Sequence, residues 1–383
     1  MRILHTSDWH FGRLFHGVHL TEDQAWWSNQ FLKFVAESRI DAVLIAGDIY
    51  DRAVPPPDAV ALLDDVFARL AIDLRVPVVA MAGNHDSPDR LAFGARLMQA
   101  QGVHVFGNLA SEPAKVRLRG EDDEVDVFVC PYAEPATARQ LTGDPDLHDH
   151  DAVVGRAAAM ARAARSTHVP AVFMAHAFVA GGSECESERP LAVGGSAAVA
   201  SAHLSGFDYV ALGHLHRSQR VGAESIRYAG SPLKYSFSEA DHRKSVTLVE
   251  TTSGRDPHIE QIELGARRDV RVLTGTLAQI LAGPTEGCNR DDYVSVELTD
   301  KGAILDAMSR IRQVWPNCLH LDRSAFLGEG VGATRSSQDH RRRSDLDLYE
   351  EFFAEVTGDP LEDSEREIIS QVTSDIARKE RGS

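Results

Sequence analysis

Six short apolar segments, separated by longer amphipathic ones, limit the folds open to this chain more than any other feature of its sequence. The apolar segments are Arg2–Thr6, Ala42–Ala46, Val76–Ala80, Val125–Cys130, Ala171–Ala175 and Tyr209–Leu212. Their length and β-branched content are typical of buried strands. Apolar residues recur at helical spacing in Asp23–Glu37, Asp58–Leu70 and Ala152–Arg165. Buried strands that alternate with helices predict an α/β unit with a sheet covered on both faces.

The pattern changes after about residue 265 and divides the chain into four parts. Residues 1–265 form the α/β unit, and residues 266–328, with a strand at Tyr293–Leu298, form a small α+β cap. Residues 329–345 are rich in Gly, Ser and Arg and lack an apolar period, which predicts a linker. Residues 346–383 read as a helix, a turn and a helix. This pair either packs back on its own domain or docks on the helices of another protein.

Side chains that commonly bind metal ions follow five of the predicted strands. They are Asp8, His10, Asp48, Asn84, His176, His214 and His216. Loops at the carboxyl ends of strands are where α/β proteins place their sites, so we expect these side chains to converge on one edge of the sheet. Side chains two residues apart in an extended segment point the same way, which brings together the members of each Asp-x-His or His-x-His pair.

The chemistry of these donors indicates a metal site. Carboxylate, amide oxygen and imidazole donors together suit a pair of first-row ions such as manganese or iron. One such fragment alone is more often a surface or core pair, but the full set favours metal binding. All seven positions are filled, which argues against a catalytically inactive scaffold. The four cysteines are scattered, without a CxxC pair, and predict a reduced, cytoplasmic protein.

The motifs DxH, GDxxD, GNHD, a lone His and GHxH, in this order, resemble the calcineurin-like metallophosphoesterase superfamily. Within it, the stretches DWHFGR at residues 8–13, GDIYDR at 47–52 and GSPLKYSFSE at 230–239 are similar to bacterial SbcD-type nuclease subunits. The resemblance implies a sandwich of sheets flanked by helices, with a small α+β capping domain and a C-terminal helical pair.

The same resemblance implies roles for individual residues. One ion would be held by Asp8, His10, Asp48 and His216, and the other by Asp48, Asn84, His176 and His214. Manganese is the favoured ion, and Asp48 would bridge the pair. His85 would protonate the leaving oxygen or stabilise developing charge, although it could instead only hydrogen-bond a nearby carboxylate. Asp51 and Asp86 would orient the ligands and the backbone rather than bind metal.

The implied function is a two-metal DNA nuclease that acts on duplex ends and hairpins within an ATP-dependent complex for DNA repair and recombination. Its partner would be an SbcC-type ATPase whose coiled coil takes the C-terminal helices, and the nuclease would be a homodimer within a heterotetramer. Arg13, His16 and Lys234 could contact DNA phosphates, although exposed cations are usually only solvated. The alternative is a two-metal phosphodiesterase for small phosphodiesters or other phosphate esters.

The formal charge of −17 opposes DNA binding by the chain alone, because nucleic-acid-binding surfaces are usually basic. Bound ions or a partner would have to provide positive charge. The sequence lacks a GxxxxGK[ST] loop, so we expect no nucleotide to bind this chain. It has neither the apolar core of a signal peptide at residues 1–5 nor a membrane span of about 18 apolar residues, which predicts a cytoplasmic, nucleoid-associated protein.

Overall fold

The computed structural model describes residues 1–120, 123–189, 191, 198–300, 304–323, 350, 353 and 364–372. The chain forms two compact units, Met1–Val270 and Arg271–Ser383. The predicted linker at 329–345 lies outside the described residues, as does most of the predicted C-terminal helical pair, of which residues 364–372 are helical. The predicted boundaries of the cap, the linker and the tail stay predictions.

Strands and helices alternate along most of the chain. In chain order, the strands are β1 (Arg2–Thr6), β2 (Leu14–Phe15), β3 (Val18–His19), β4 (Ala42–Ile45), β5 (Val78–Met81), β6 (Val103–Phe106), β7 (Ala114–Arg119), β8 (Glu124–Cys130), β9 (Ala171–His176), β10 (Tyr209–Gly213), β11 (Gln219–Val221), β12 (Ala223–Tyr228), β13 (Ser245–Glu250), β14 (His258–Glu263), β15 (Val270–Gly275), β16 (Tyr293–Leu298) and β17 (Cys318–Asp322). The α-helices are α1 (Thr21–Glu37), α2 (Pro57–Ala68), α3 (Pro88–Leu91), α4 (Ala95–Met98), α5 (Pro135–Thr142), α6 (His150–Ala164), α7 (Leu277–Leu281) and α8 (Ala307–Val314). Helix α2 continues into a π-helical turn, Arg69–Asp73.

The first unit is built on two six-stranded sheets. The first sheet has the order β14-β13-β1-β4-β5-β6, in which β1, β4, β5 and β6 are parallel and β13 and β14 are antiparallel to their neighbours. The second has the order β11-β12-β10-β9-β8-β7, with a parallel centre of β12, β10, β9 and β8. Both sheets therefore have a parallel core of the kind the strand and helix alternation predicts.

The two sheets share one hydrophobic layer. Ile3 and Leu44 of the first sheet belong to the same buried cluster as Val127, Val172 and Tyr209 of the second. The other face of the second sheet packs against helix α6. The expectation of a single sheet with helices on both faces is therefore corrected, because each sheet covers the inner face of the other. The α/β sandwich with flanking helices is confirmed.

Local chemistry sets the ends of several elements. Strand β5 begins at Val78 rather than at the predicted Val76, because Pro77 has no N–H to donate to a neighbouring strand. Helix α6 begins two residues before the predicted start, where the Asp149 carboxylate accepts a hydrogen bond from Ala152 N at 2.8 Å. Strand β1 has the predicted bounds. The long elements thus follow the apolar pattern, and caps and prolines adjust their ends.

The second unit contains the three-stranded sheet β15-β16-β17. Strand β16 has the predicted bounds and contributes Val294 and Val296 to a core that also includes Ile311 and Trp315 from the region of α8. The indole N–H of Trp315 donates to Ile280 O at 3.0 Å. Among the described residues, no helix has both the length and the apolar character to cross a membrane.

Candidate metal centre

The predicted ligands lie at the carboxyl ends of parallel strands from both sheets. Asp8 and His10 follow β1, Asp48 follows β4 and Asn84 follows β5, all in the first sheet. His176 ends β9, and His214 and His216 follow β10, in the second sheet. The expectation of one sheet edge is corrected, since two sheets deliver the side chains to a common place.

The backbone at these positions departs from the extended form that the sequence suggests. Asp8, His10 and Asp48 have φ values of 53°, 46° and 48°, and His214 has 107°. Residues other than glycine seldom adopt this region, and clusters of such residues occur at functional sites held by the surrounding fold. The DxH and GHxH segments therefore bring their side chains together through tight turns and not through strand alternation.

Glycines precede three of the ligands because the backbone there has no room for a side chain. A Cβ on Gly83 would lie 2.2 Å from Asp48 Oδ1, and one on Gly47 would lie 2.3 Å from His176 Nδ1. A Cβ on Gly213 would lie 1.8 Å from Ala46 O. The glycines of the GD, GN and GH motifs thus permit the two sheets to approach closely at the site.

One group of donors consists of Asp8, His10 and His216, whose ligand atoms all lie within 4.8 Å of one another. All three side chains are buried. The Nε2 atoms of His10 and His216 are 3.1 Å apart, and His10 Nε2 is 3.7 Å from Asp48 Oδ2. Asp48 therefore lies beside this group as well as beside the next one.

The second group is centred on Asp48 and His176. His176 Nε2 lies 3.4 Å from Asp48 Oδ2 and 2.9 Å from Asn84 Oδ1, while its Nδ1 contacts Ala46 O at 2.9 Å. A carbonyl only accepts, so Nδ1 carries a proton, and in the neutral ring Nε2 is the nitrogen that could bind a cation beside the oxygens of Asp48 and Asn84. The ring of His214 is buried beside that of His176, with centroids 5.4 Å apart.

Burial and mutual charge perturb the ionisation of this cluster. Burial lowers the pKa of His10 and His214 well below the ordinary value, which favours the neutral, ligand form of both rings. Burial raises the pKa of Asp8 to about 6. Burial alone would lower the pKa of His176, but the Asp48 carboxylate outweighs burial and raises this pKa to about 9. A metal ion at His176 would therefore displace a proton.

The donors fit divalent cations. Carboxylate oxygens, one amide oxygen and imidazole nitrogens are the mixed set that first-row ions favour. The buried Nε2 atoms of His10 and His216 face each other at 3.1 Å, so both could bind one cation in their neutral forms. Asp48 lies beside both donor groups, and the assignment of two ions bridged by this carboxylate stays a prediction.

His85 adjoins the cluster. Its Nδ1 contacts the backbone oxygen of Asp51 at 2.8 Å, its Nε2 is 4.0 Å from Asp48 Oδ2, and its side chain is 12% exposed. The backbone N–H of His85 donates to Asp48 Oδ1 at 2.8 Å. The ring is bound to a backbone carbonyl and not to a carboxylate side chain, which leaves Nε2 directed towards the donors.

The two other acidic residues of the motifs differ in their contacts. The buried Asp86 carboxylate accepts hydrogen bonds from the backbone N–H groups of Ile49, Tyr50 and Gly83 at 3.1, 2.9 and 3.0 Å. It therefore ties the loop after β4 to the loop after β5. Burial raises its pKa to about 7. Asp51 has one carboxylate oxygen 2.8 Å from Arg13 Nη1 and 3.6 Å from His10 Nδ1.

The predicted DNA-contacting residues lie near the centre, and all three make contacts within the protein, His16 with the rings of Phe15 and Phe237 at 5.0 Å. Arg13 pairs with Asp51 and lies over the ring of Tyr235 at 5.5 Å. Lys234 Nζ is 2.8 Å from Asp269 Oδ1 and 2.6 Å from Ala240 O, with its side chain 11% exposed. His16 is exposed. The DNA contacts stay predictions, and the one proposed for Lys234 would require these bonds to break.

Several residues that support the ligands were not singled out from the sequence. The Gln24 side chain donates to the carbonyls of Trp9 and His10 and accepts from Gly12 N, so it fixes the loop after β1. The hydroxyl of Tyr235 also donates to Trp9 O, and its ring lies 5.5 Å from that of His10. Of these two residues, only Tyr235 could have been noticed in the sequence, because it lies in the stretch at residues 230–239.

Residues 1–218 match the family described as calcineurin-like phosphoesterase. Residues 266–357 match a second family, described as the Type 5 capsule protein repressor C-terminal domain, which is the SbcD C-terminal domain. The two matches in this order support an SbcD-type nuclease subunit and confirm the resemblance seen in the motifs.

Among solved structures, the chain is similar to GAP50, the anchor in the inner membrane complex of Plasmodium, at 10% identity, with 84% of this chain and 96% of that chain covered and a TM-score of 0.35. It is also similar to TT1561 of Thermus thermophilus, at 16% identity, with 68% and 98% covered and a TM-score of 0.37. The phosphoesterase match spans more than half of the chain, and this chain therefore belongs to the calcineurin-like phosphoesterases, which are metal-dependent hydrolases.

Proposed function

We propose that this protein is a two-metal DNA nuclease, the SbcD-type subunit of an ATP-dependent complex for DNA repair and recombination, and that manganese is its working ion. The observation that carries the proposal is the pair of donor groups that share Asp48, with His85 Nε2 directed towards them. The ligand sets are those that the motifs predict. In this proposal the ligands hold the ions, and His85 protonates the leaving oxygen.

Bound divalent ions would activate a water molecule and neutralise charge on the phosphate. The chain's own part is to hold their donors before substrate arrives. Asp48 is fixed from two sides, because His85 N donates to Oδ1 and His176 lies beside Oδ2. Asp8 accepts from His214 N at 3.0 Å, which joins the loop after β1 to the loop after β10. Preorganised donors need no rearrangement during the reaction.

His85 would supply the proton for the leaving oxygen. The Asp51 carbonyl binds Nδ1, so the Nδ1 proton stays in place. A protonated ring can then give up only its Nε2 proton, and the neutral ring that remains keeps the same orientation. Nε2 lies on the side of Asp48, where the phosphate would bind. The position of this nitrogen supports a general acid.

DNA is preferred over small esters because of what lies outside the metal centre. The second family match at residues 266–357 and the stretch at 230–239 are features of SbcD-type subunits. Lys244 and Glu239 of the segment around this stretch form a buried ion pair close to His216. The alternative, a phosphodiesterase for small esters, uses the same centre and does not need these parts.

The partner surfaces also belong to this proposal. Helical residues 364–372 expose Ile368 and Val372, one turn apart, which supports docking of the C-terminal segment on helices of an SbcC-type ATPase. Phe93, between α3 and α4, and Leu97, in α4, are 86% and 81% exposed and support association of two nuclease subunits. Leu97→Asp should lower the molar mass measured by analytical ultracentrifugation from dimer to monomer.

Cleavage of end-labelled linear duplex and hairpin DNA with Mn²⁺ tests the proposal. The purified chain is compared with His85→Ala and with His104→Ala, a histidine of β6 outside the centre, and bis-p-nitrophenyl phosphate reports on the ions alone. We expect the chain and His104→Ala to cut DNA and His85→Ala to fail. Hydrolysis of the small ester without DNA cleavage, even with the ATPase and ATP present, would refute the DNA assignment and keep the two-metal one.

A further inference from the structure

Ser187 and Glu239 lie behind His216, on the side of its ring away from the other donors. His216 Nε2 faces His10 Nε2 at 3.1 Å, and His216 Nδ1 lies 2.7 Å from Ser187 Oγ. The hydroxyl of Ser187 in turn lies 2.5 Å from Glu239 Oε1. One nitrogen of the ring therefore belongs to the metal centre, and the other ends a buried chain of hydrogen bonds.

The direction of this chain follows from its far end. Glu239 is buried, its Oε1 accepts from Tyr235 N at 3.1 Å, and its Oε2 pairs with the ammonium of Lys244. The ion pair with the Lys244 ammonium indicates that Glu239 is an ionised carboxylate. An ionised carboxylate only accepts, so the single hydroxyl proton of Ser187 points to Glu239. The oxygen of Ser187 can then only accept, and His216 Nδ1 is the donor.

We infer that Ser187 and Glu239 are positioning residues that hold the Nδ1 proton of His216 in place and so keep its Nε2 free to bind a divalent ion. The inference deepens the proposed function and depends on it. An imidazole binds metal through an unprotonated nitrogen, and the hydrogen bond at its other nitrogen sets both the tautomer and the ring orientation.

Other histidines of the centre show why His216 needs such support. Nδ1 of His176 contacts Ala46 O, and Nδ1 of His85 contacts Asp51 O, so backbone carbonyls hold these two rings. For His216 the acceptor is a side chain, Ser187, and a carboxylate must orient its hydroxyl. The support of this one ring can therefore be removed by substitution without a change of backbone.

The backbone of His216 is fixed by the same group of residues. His216 N donates to Glu188 Oε1 at 2.6 Å, and the ammonium of Lys244 donates to His216 O at 2.7 Å. Lys244 also donates to Ser231 Oγ at 2.8 Å. The segment around Ser187 and the stretch at 230–239 thus both contact His216. Both segments therefore help to hold this candidate ligand in position.

Manganese titration of the full chain by isothermal calorimetry tests the inference. Ser187→Ala should weaken one of two Mn²⁺ sites by about 10-fold to 100-fold, as loss of ligand-orienting contacts does. Ser187→Thr keeps a hydroxyl on the same carbon and should restore the affinity. Glu239→Gln should weaken the same site, whereas Glu186→Gln, an exposed change of equal charge in the same segment, should leave it unaltered.

Each result has a distinct meaning. Wild-type Mn²⁺ affinity in Ser187→Ala would overturn the inference. A loss in Glu186→Gln equal to that in Glu239→Gln would overturn the part assigned to Glu239, since both losses would then be effects of net charge. Failure of Ser187→Thr to restore binding, at an unchanged melting temperature, would also overturn the inference. If Glu239→Gln does not fold, Ser187→Ala still decides. A wild-type chain that binds no Mn²⁺ would instead refute the two-metal function itself.

Discussion

Replacement of Gly83 by alanine should disable the metal centre. The added Cβ would lie 2.2 Å from Asp48 Oδ1, 2.4 Å from Asp48 N and 2.7 Å from His176 Cε1, whereas ordinary contacts begin at 3.4 Å. Asp48 must therefore shift by about 1 Å, and a misplacement of this size in an active site costs about 100-fold in rate, or about 2.7 kcal/mol. The φ of Gly83 is not left-handed, so alanine adds no backbone strain of its own.

The assay is steady-state hydrolysis of bis-p-nitrophenyl phosphate over a range of Mn²⁺ concentrations, with thermal unfolding measured in parallel. Gly265→Ala is the matched control, because its Cβ would meet only Trp26 Cη2 at 3.5 Å and its φ is not left-handed. We expect the control to match the wild type, and Gly83→Ala to lose both kcat and Mn²⁺ affinity. Full activity and full Mn²⁺ affinity in Gly83→Ala would show that Asp48 is not held where the reasoning requires.

Three further results are expected. His85→Ala should lower kcat for the same ester by roughly 100-fold to 10,000-fold with Mn²⁺ affinity unchanged, because the proposed part of this ring is to give a proton to the leaving oxygen and not to bind an ion; a matching loss of Mn²⁺ affinity would make it a ligand. Burial lowers the pKa of His5 to about 3. Below about pH 6.5 the His5 ring therefore binds a proton in the unfolded chain but not in the folded chain. The free energy of unfolding should therefore fall with falling pH by up to about 1.4 kcal/mol per unit from this group, and urea unfolding of His5→Gln between pH 6.5 and 4 should show a shallower slope. Removal of residues 346–383 should leave ester hydrolysis unchanged and abolish binding to an SbcC-type ATPase in a pull-down, and retained binding would place the docking segment elsewhere.

The sequence could place the candidate ligands close together because each one follows a buried strand or ends it. Apolar runs such as Val43–Ile45 and Val78–Met81 identify the strands, and polar residues directly after them have to lie at the sheet's carboxyl edge. The pattern contains no information about which sheet a strand joins. β9 and β10 are as apolar as β1, so His176 and His214 were placed on the same edge as Asp8 although they come from a second sheet.

The supporting residues could not be found in the same way. Gln24 lies in α1 and is buried, whereas an isolated glutamine in an amphipathic helix predicts an exposed position. Its function appears only when the loop after β1 folds over it and presents the carbonyls of Trp9 and His10. Ser187 likewise lies in a loop with no sequence pattern that distinguishes it, and its contact with His216, which follows β10, appears only in the folded structure. Such roles depend on contacts between distant segments, and local sequence patterns do not report them.

The acidic charge of the chain and its phosphate substrate can be reconciled through the metal ions and a partner. Arg13 and Lys234 lie near the centre, but Asp51 and Asp269 already pair with them, and Asp8 and Asp48 add buried carboxylates. A phosphodiester would meet repulsion there until divalent ions reverse the local charge. With a formal charge of −17 over the whole sequence, the chain has little to hold the rest of a DNA duplex. Under the proposed function, the ions would therefore capture the scissile phosphate, and the ATPase partner would hold the rest of the duplex.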